Sequence, residues 1–417
     1  MVLATKSEAE TKEPGTALSW PKKFLFVAIS LVFVVLAMCV MGEVLLRILP
    51  LGSYRSAPFR QYDPKVGLAL VPNVKVAHHR GCFAGEVDTN QWGMRDRDRS
   101  LGKNPGVFRV ALLGDSAVEG VQVKPDEVIN IQMEKLLAEK GYKNAEVMNF
   151  AVEGIGTTQE LVMYKEKVRQ FHPDLVVVMF AWNDVMNNSS TLQPASYGIH
   201  TWYAPYYDLK PDGTLAFQPV KPLAFGSTRT FLERHSVLVY YLERVWLTFD
   251  WSPRKWEGLP IYFGTYGEKL DSDWSRAWLV TEKVMSLMRD TVTQDGSKFM
   301  VVAWPDFADI DPNWRERLSK QVGPLPPDFD AYKPEERLKD LAQRNDIALG
   351  FLAPYMQAYR DQKGLQWPYF SHTCDQHWTA LGHRIGAQAM VKELEQRQLL
   401  STADRESKTA KAVPFNH

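Results

Sequence analysis

A Gly114-Asp115-Ser116 turn follows the apolar run Val107 to Leu113, and Gly120 comes next before a helical stretch. A serine at the carboxyl end of a strand sits where an open α/β sheet presents its ligands, and a following helix N-terminus favours negative charge there. Its hydroxyl becomes a competent nucleophile once a neighbouring imidazole takes its proton. The competing role for Ser116 is to cap the helix that follows. Three further motifs occupy comparable places. Asn149-Phe150-Ala151-Val152-Glu153-Gly154, with Gly156 and Thr157 beyond it, follows a second apolar run, and Ala181-Trp182-Asn183-Asp184 follows a third. Asp375-Gln376-His377-Trp378-Thr379 precedes Gly382 and the last helical stretch.

These motifs need a scaffold. Strands are expected at Val107 to Leu113, Glu146 to Phe150, Leu175 to Phe180, Phe299 to Trp304 and Ile347 to Phe351. Helices are expected from Pro125 to Gly141, Arg276 to Val292, Pro334 to Arg344 and Trp378 to Arg397. Proline at a first turn and glycine after a last one are the usual helix boundaries. Strands alternating with helices, and unbroken apolar strands such as DLVVVMF, indicate a parallel sheet covered on both faces. The fold class is therefore α/β, a doubly wound, flavodoxin-like parallel sheet of about five strands with helices on both faces.

In this order the Ser, Gly, Asn and His motifs resemble the SGNH (GDSL-type) hydrolase superfamily over about residues 107–391, apart from an aromatic-rich stretch. The resemblance implies that Ser116 is the nucleophile and His377 the base. It implies an oxyanion hole made by the backbone amides of Ser116 and Gly154 and the side-chain amide of Asn183. Two positions depart from the family pattern. Trp182 replaces the usual glycine before Asn183-Asp184, which narrows the pocket or shifts the loop. Cys374 stands three residues before His377, where the family usually has its acid, and Asp375 lies only two before. That D-x-H-W-T spacing is similar to the alginate O-acetyltransferases, and it makes Asp375 the orienting acid; the competing role for Asp375 is to cap the last helix.

Nineteen uncharged residues, FLFVAISLVFVVLAMCVMG, separate Lys23 from Glu43, close to the roughly 20 that cross a hydrocarbon core. One transmembrane helix at 24–42 is expected, with 1–23 as a cytoplasmic leader. Lys22 and Lys23 favour a cytoplasmic N-terminus, although Arg47, Arg55 and Arg60 answer them on the other side. No A-x-A site follows the span, so an uncleaved signal-anchor in a bacterial inner membrane is expected, with the catalytic domain periplasmic or otherwise extracytoplasmic. A small β-rich collar at 54–106 would then connect the anchor to a hydrolase domain at 107–396, ahead of a flexible tail at 397–417.

The stretch at 189–275 interrupts the alternation and is rich in aromatics, including Trp202, Tyr203, Tyr206, Tyr207, Tyr240, Tyr241, Trp246, Trp251 and Trp256. It contains an amphipathic helix around Val237 to Phe249. A self-packed lid, a surface on the membrane interface and a sugar-stacking wall all fit it.

Lys plus Arg and Asp plus Glu balance at 49 each, which leaves no basic field for nucleic acid. Cys39, Cys82 and Cys374 form no metal-like cluster, and the remaining histidines have no ligand spacing, so no metal or cofactor is expected. A Cys82–Cys374 bridge and two free thiols both stay open. The function expected is acyl-ester hydrolysis or O-acyl transfer through an acyl-Ser116 intermediate, on an acylated envelope polysaccharide. Transfer would require a partner membrane protein as acyl donor. A membrane-surface lipid esterase or lysophospholipase, and a non-catalytic glycan-binding scaffold, are the alternatives.

Overall fold

The computed structural model describes residues 19–48, 59–197, 204–222, 226–249, 254–365 and 369–400. Helix α1 (Trp20–Ile48) carries the apolar run and is long and apolar enough to cross a membrane, with a mean hydropathy of 3.0 over its most apolar 18 residues. Two hairpins follow, β1 (Arg60–Asp63) with β2 (Gly67–Leu70) and β3 (Lys75–Arg80) with β4 (Phe83–Asp88). They lie within residues 54–106, the collar of the sequence reading.

The central sheet begins with β5 (Phe108–Gly114), then α2 (Ser116–Glu119), α3 (Ile129–Glu139), β6 (Ala145–Asn149), α4 (Thr157–Glu166), β7 (Leu175–Phe180) and α5 (Asn183–Asn187). The segment that interrupts it holds α6 (Leu192–Tyr197), the hairpin β8 (Tyr206–Leu209) and β9 (Leu215–Gln218), helices α7 (Gly226–His235) and α8 (Val237–Phe249), and the short pair β10 (Lys255–Trp256) and β11 (Leu259–Pro260). The α/β pattern resumes with α9 (Ser272–Gln294) and β12 (Lys298–Ala303). It then runs through α10 (Phe307–Ile310), α11 (Trp314–Val322), α12 (Lys333–Arg344), β13 (Leu349–Phe351), α13 (Ala353–Lys363) and α14 (Ala380–Gln396).

Strand order β13-β12-β7-β5-β6 with every pairing parallel is the flavodoxin-like order expected. Alternation along the strands feeds two cores. Ala111, Leu113, Val176, Val178 and Val301 face α4, α9 and α12, whereas Val110, Leu112, Val177, Met300 and Val302 face α3, α13 and α14.

Several local expectations are corrected. Pro125 to Gly141 is not one helix, because Val128 is extended (φ −68, ψ 148) and divides a 3₁₀ turn at Pro125–Glu127 from α3. Helix α9 starts at Ser272 because the Asp271 side chain accepts the Trp274 N–H and caps it there. Helices α4 and α13 were not expected. Residues Thr157 to Tyr164 of α4 are all buried, so α4 shows no apolar stripe.

The collar is more than a connector, since Phe59, Leu70, Val87 and Met94 share the core of the sheet's α4 and α9 face. In the interrupting segment Tyr206 and Trp256 are buried packing residues, as are Trp274 and Trp278 of α9 beside it. Trp202, Tyr203, Trp251 and the Trp246 side chain lie outside what the structure describes, as do 1–18, 54–58 and 401–417 of the expected leader, collar and tail.

Candidate active site

Strand β5 is buried along its whole length and delivers its last residues to the carboxyl edge of the sheet. Gly114 is needed there, because a Cβ would lie 2.6 Å from Val118 Cγ2. The Asp115 carboxylate accepts the Ala117 N–H at 3.0 Å and caps α2, and Gly120 closes that helix in the left-handed region (φ 64). Capping therefore belongs to Asp115. The Ser116 hydroxyl instead meets His377 Nε2 at 2.8 Å.

His377 lies in a loop that the neighbouring Trp378 anchors. The indole is buried, stacks on Trp304 at 3.5 Å, and occupies a groove in α14 that side chains at Gly382 and Gly386 would fill. Thr379 caps α14 by accepting the Gly382 N–H, so Asp375 is free of that role as well. His377 Nδ1 lies 3.0 Å from the Asp375 backbone carbonyl and 3.5 Å from Asp375 Oδ2. Either acceptor keeps the proton on Nδ1 and leaves Nε2 to accept from Ser116. Burial pulls the imidazole pKa down, but the Asp375 carboxylate, with Asp115 and Glu153 behind it, pushes it up further, and the net shift is upward. Asp375 is shifted downward: burial opposes ionisation, while His377 and the Gln122 amide at 3.2 Å favour it.

Gly154 has φ 74, and a Cβ there would meet nothing within 4 Å, so its backbone borders open space. Among the described residues neither the Ser116 N–H nor the Gly154 N–H has a hydrogen-bond acceptor. The Asn183 amide donates to Asp115 Oδ2 at 2.7 Å, which fixes the amide and leaves its second N–H for another acceptor. The fully buried Glu119 accepts the Glu153 N–H at 2.5 Å and pairs with Arg60 of the collar, which also reaches Glu153 at 2.7 Å. Arg60 thus holds the loop that carries Gly154.

Beneath the site Glu160 and Asp184 are buried, and burial shifts both carboxyls well upward, helped by repulsion from Asp115 at Glu160 and from Glu160 and Asp115 at Asp184. Asp184, Asn187 and Asn188 shape turns: Asp184 accepts the Ala181 N–H, Asn187 donates to Ile155 O, and Asn188 accepts the Thr158 N–H. Trp182 is buried against Phe180 at 5.7 Å, so it fills core space and does not narrow the cleft. His383 is buried beside Gly120 and its pKa is lowered to about 3 by burial, which keeps it neutral.

Cys82 and Cys374 are disulfide-bonded. The bridge ties the β3–β4 turn to the residue before Asp375. A cavity of about 230 Å³ between collar and α4 is lined by Leu70, Trp92, Met94, Phe150, Met163 and Phe171, and neither Ser116 nor His377 lines it. The structure brings Ser116, Asp375 and His377 together, with Gly154 on the loop and Asn183 at the start of α5 beside them. Of the two readings left open for Cys82 and Cys374 the bridge is the one found, whereas sequence reasoning missed Arg60, Glu119 and Gln122, none of which has a local motif.

Residues 112–322, just over half of the chain, match the model of the GDSL-like Lipase/Acylhydrolase family. The chain belongs to that family. This GDSL-family protein is accordingly an ester-hydrolysing acylhydrolase; the matched span holds Ser116, Gly154 and Asn183 but ends before Asp375 and His377, which geometry alone adds. Among solved structures it is similar to TesA (12% identity, 70% of this chain, 99% of that chain, TM-score 0.37). It is also similar to the acetyl xylan esterase AlAXEase (15%, 68%, 98%, TM-score 0.38) and the lipase/acylhydrolase from Enterococcus faecalis (12%, 70%, 97%, TM-score 0.35). At these TM-scores the likenesses carry no statement about substrate. No curated protein matches this GDSL-family sequence.

Proposed function

We propose that the chain is a membrane-anchored serine esterase or O-acyltransferase that works through an acyl-Ser116 intermediate on acylated envelope polysaccharide. The observation that carries the chemistry is the 2.8 Å contact between Ser116 Oγ and His377 Nε2. Ser116 attacks the acyl carbonyl carbon while its proton passes to His377, and the Asp375 carboxylate supports the imidazolium. The oxyanion sits among the Ser116 and Gly154 amides and the free N–H of Asn183, each such donor being worth about 3 to 4 kcal/mol. Collapse expels the alcohol, which takes the proton from His377. Water or a sugar hydroxyl then gives its proton to His377 and attacks the acyl carbon; the bond to Ser116 Oγ breaks, and Oγ takes the proton back from His377.

We read helix α1 as the anchor, and the Cys82–Cys374 bridge, which suits an oxidising compartment, supports a catalytic domain outside the cytoplasm on a bacterial inner membrane. The Asp-x-His spacing favours glycan O-acyl chemistry, with an acyl-donor membrane protein if the reaction is transfer. A second reading, a membrane-surface lipid esterase, is favoured by the contact of α8 with α1. The test is turnover by the detergent-solubilised full chain of 4-nitrophenyl esters of increasing chain length, with acetylated polysaccharide as competitor. Preference for acetate and inhibition by the polysaccharide support the glycan reading; rates that rise with chain length favour the lipid one. Turnover unaffected by Ser116→Ala overturns both.

A further inference from the structure

The apolar run of α1 ends at Gly42, and the next residue does something unusual for a membrane helix. The Glu43 carboxylate accepts the Ser236 hydroxyl at 2.8 Å and the N–H groups of Val237 and Leu238 at 3.1 and 2.9 Å. It therefore satisfies the orphan donors at the start of α8, a cap supplied by another helix. One turn on, Arg47 pairs with Glu43 and donates to His235 O at 2.9 Å, holding the junction of α7 and α8 from the other side. A Cβ at Gly42 would stand 3.4 Å from Leu238, so the two helices also meet in close contact.

These contacts fix the start of α8 at the level where α1 leaves the hydrocarbon. From there α8, VLVYYLERVWLTF, carries only Glu243 and Arg244 as charged residues. Leu242 and Val245, one turn apart, are 57% and 50% exposed, and Phe231 of α7 is 58% exposed. Solvent-exposed apolar side chains grouped beside a spanning helix, with the partly buried Tyr240 and Tyr241 next to them, match a helix that lies in the plane of a bilayer surface. We propose that the α7–α8 hairpin is an interfacial arm, embedded in the leaflet from which α1 emerges, with Leu242 and Val245 entering the acyl-chain region. This rests on the anchor reading of α1. Because α7 also packs on β1, the arm sets the height and tilt of the collar and hence of the catalytic cleft over the lipid.

The full chain carrying Cys39→Ser and Leu242→Cys is labelled with an environment-sensitive fluorophore and reconstituted into phosphatidylethanolamine–phosphatidylglycerol vesicles. Lipids spin-labelled on the acyl chain are then added. Quenching at position 242 is expected to exceed several-fold that of a Tyr332→Cys control, which is exposed on the catalytic domain, and Val245→Cys should behave as Leu242→Cys does. Adding Glu43→Gln should reduce the quenching at 242 while the protein still floats with the vesicles. Equal, weak quenching at 242 and 332 in protein that floats overturns the arm and spares the anchor. Quenching that grows with protein-to-lipid ratio assigns the face to a second copy and overturns it too. Protein that does not float overturns the anchor reading and the arm with it.

Discussion

The turn that carries Ser116 and the loop that carries His377 meet at 2.8 Å, yet they are built by opposite means. Ser116 stands at the end of a buried strand paired on both sides, by β6 and β7, and its turn closes on local bonds of Asp115 and Gly120. His377 stands in an exposed stretch with Gln376 in the left-handed region (φ 64), a conformation that costs a non-glycine residue energy. That loop is held from outside, by the Trp378 ring in the α14 groove, by Gln122 on Asp375, and by the Cys82 bridge from the collar. The nucleophile is therefore part of the fold, whereas the base is imposed on it by long-range ties. Perturbing the ties should weaken catalysis while leaving the fold intact.

The largest effect bears on Asp375. Asp375→Asn is expected to lower kcat about ten-thousand-fold, as in other serine triads, with the circular dichroism spectrum unchanged. Should the Asp375 backbone carbonyl, the nearer acceptor, suffice to hold the tautomer, the loss measured in a steady-state ester assay would stay below about tenfold. Cutting the bridge comes next. Cys82→Ser, or reduction of this exposed disulfide, should lower kcat between about ten- and a hundredfold through small misplacement of His377, with KM little changed. If the loop were as self-sufficient as the serine turn, kcat would not move.

The smallest effect is in the pH profile. His377 must be neutral to accept the Ser116 proton, and Asp375, Asp115 and Glu153 raise its pKa. Activity should therefore fall as pH drops through a value above the ordinary 6.5 of histidine, the protonated imidazole being unable to act as base. In Asp375→Asn the residual activity should keep its acid limb at lower pH, because the largest upward influence is gone. A limb that stays in place in kcat/KM profiles would assign the raised pKa to Asp115 or Glu153.

What was legible in the sequence follows the same division. β7 occupies its expected span because DLVVVMF is an unbroken apolar run that only a doubly covered strand accommodates. The five strands and their flavodoxin-like order follow from the same kind of local pattern, and so do the turns that place Ser116 and Asn183. α4 was missed because burial on all sides erases the amphipathic period, and α3 began later than its proline suggested because Val128 is extended. The long-range supports of the site were not legible, except that the Cys82–Cys374 bridge stood as one of two open readings. Gln122 lies 253 residues from Asp375, Cys82 lies 292 from Cys374, and Arg60 lies 59 from Glu119, so no local motif records those contacts. The Glu43 cap on α8 joins residues nearly 200 apart and is invisible for the same reason.

The most direct test of the central claim is covalent labelling of the full chain with a fluorophosphonate, followed by peptide mass spectrometry. A single adduct on Ser116 is expected, formed far more slowly in His377→Ala and absent from Ser116→Ala. An adduct on another residue, or ester turnover that persists with Ser116 unlabelled, would contradict it.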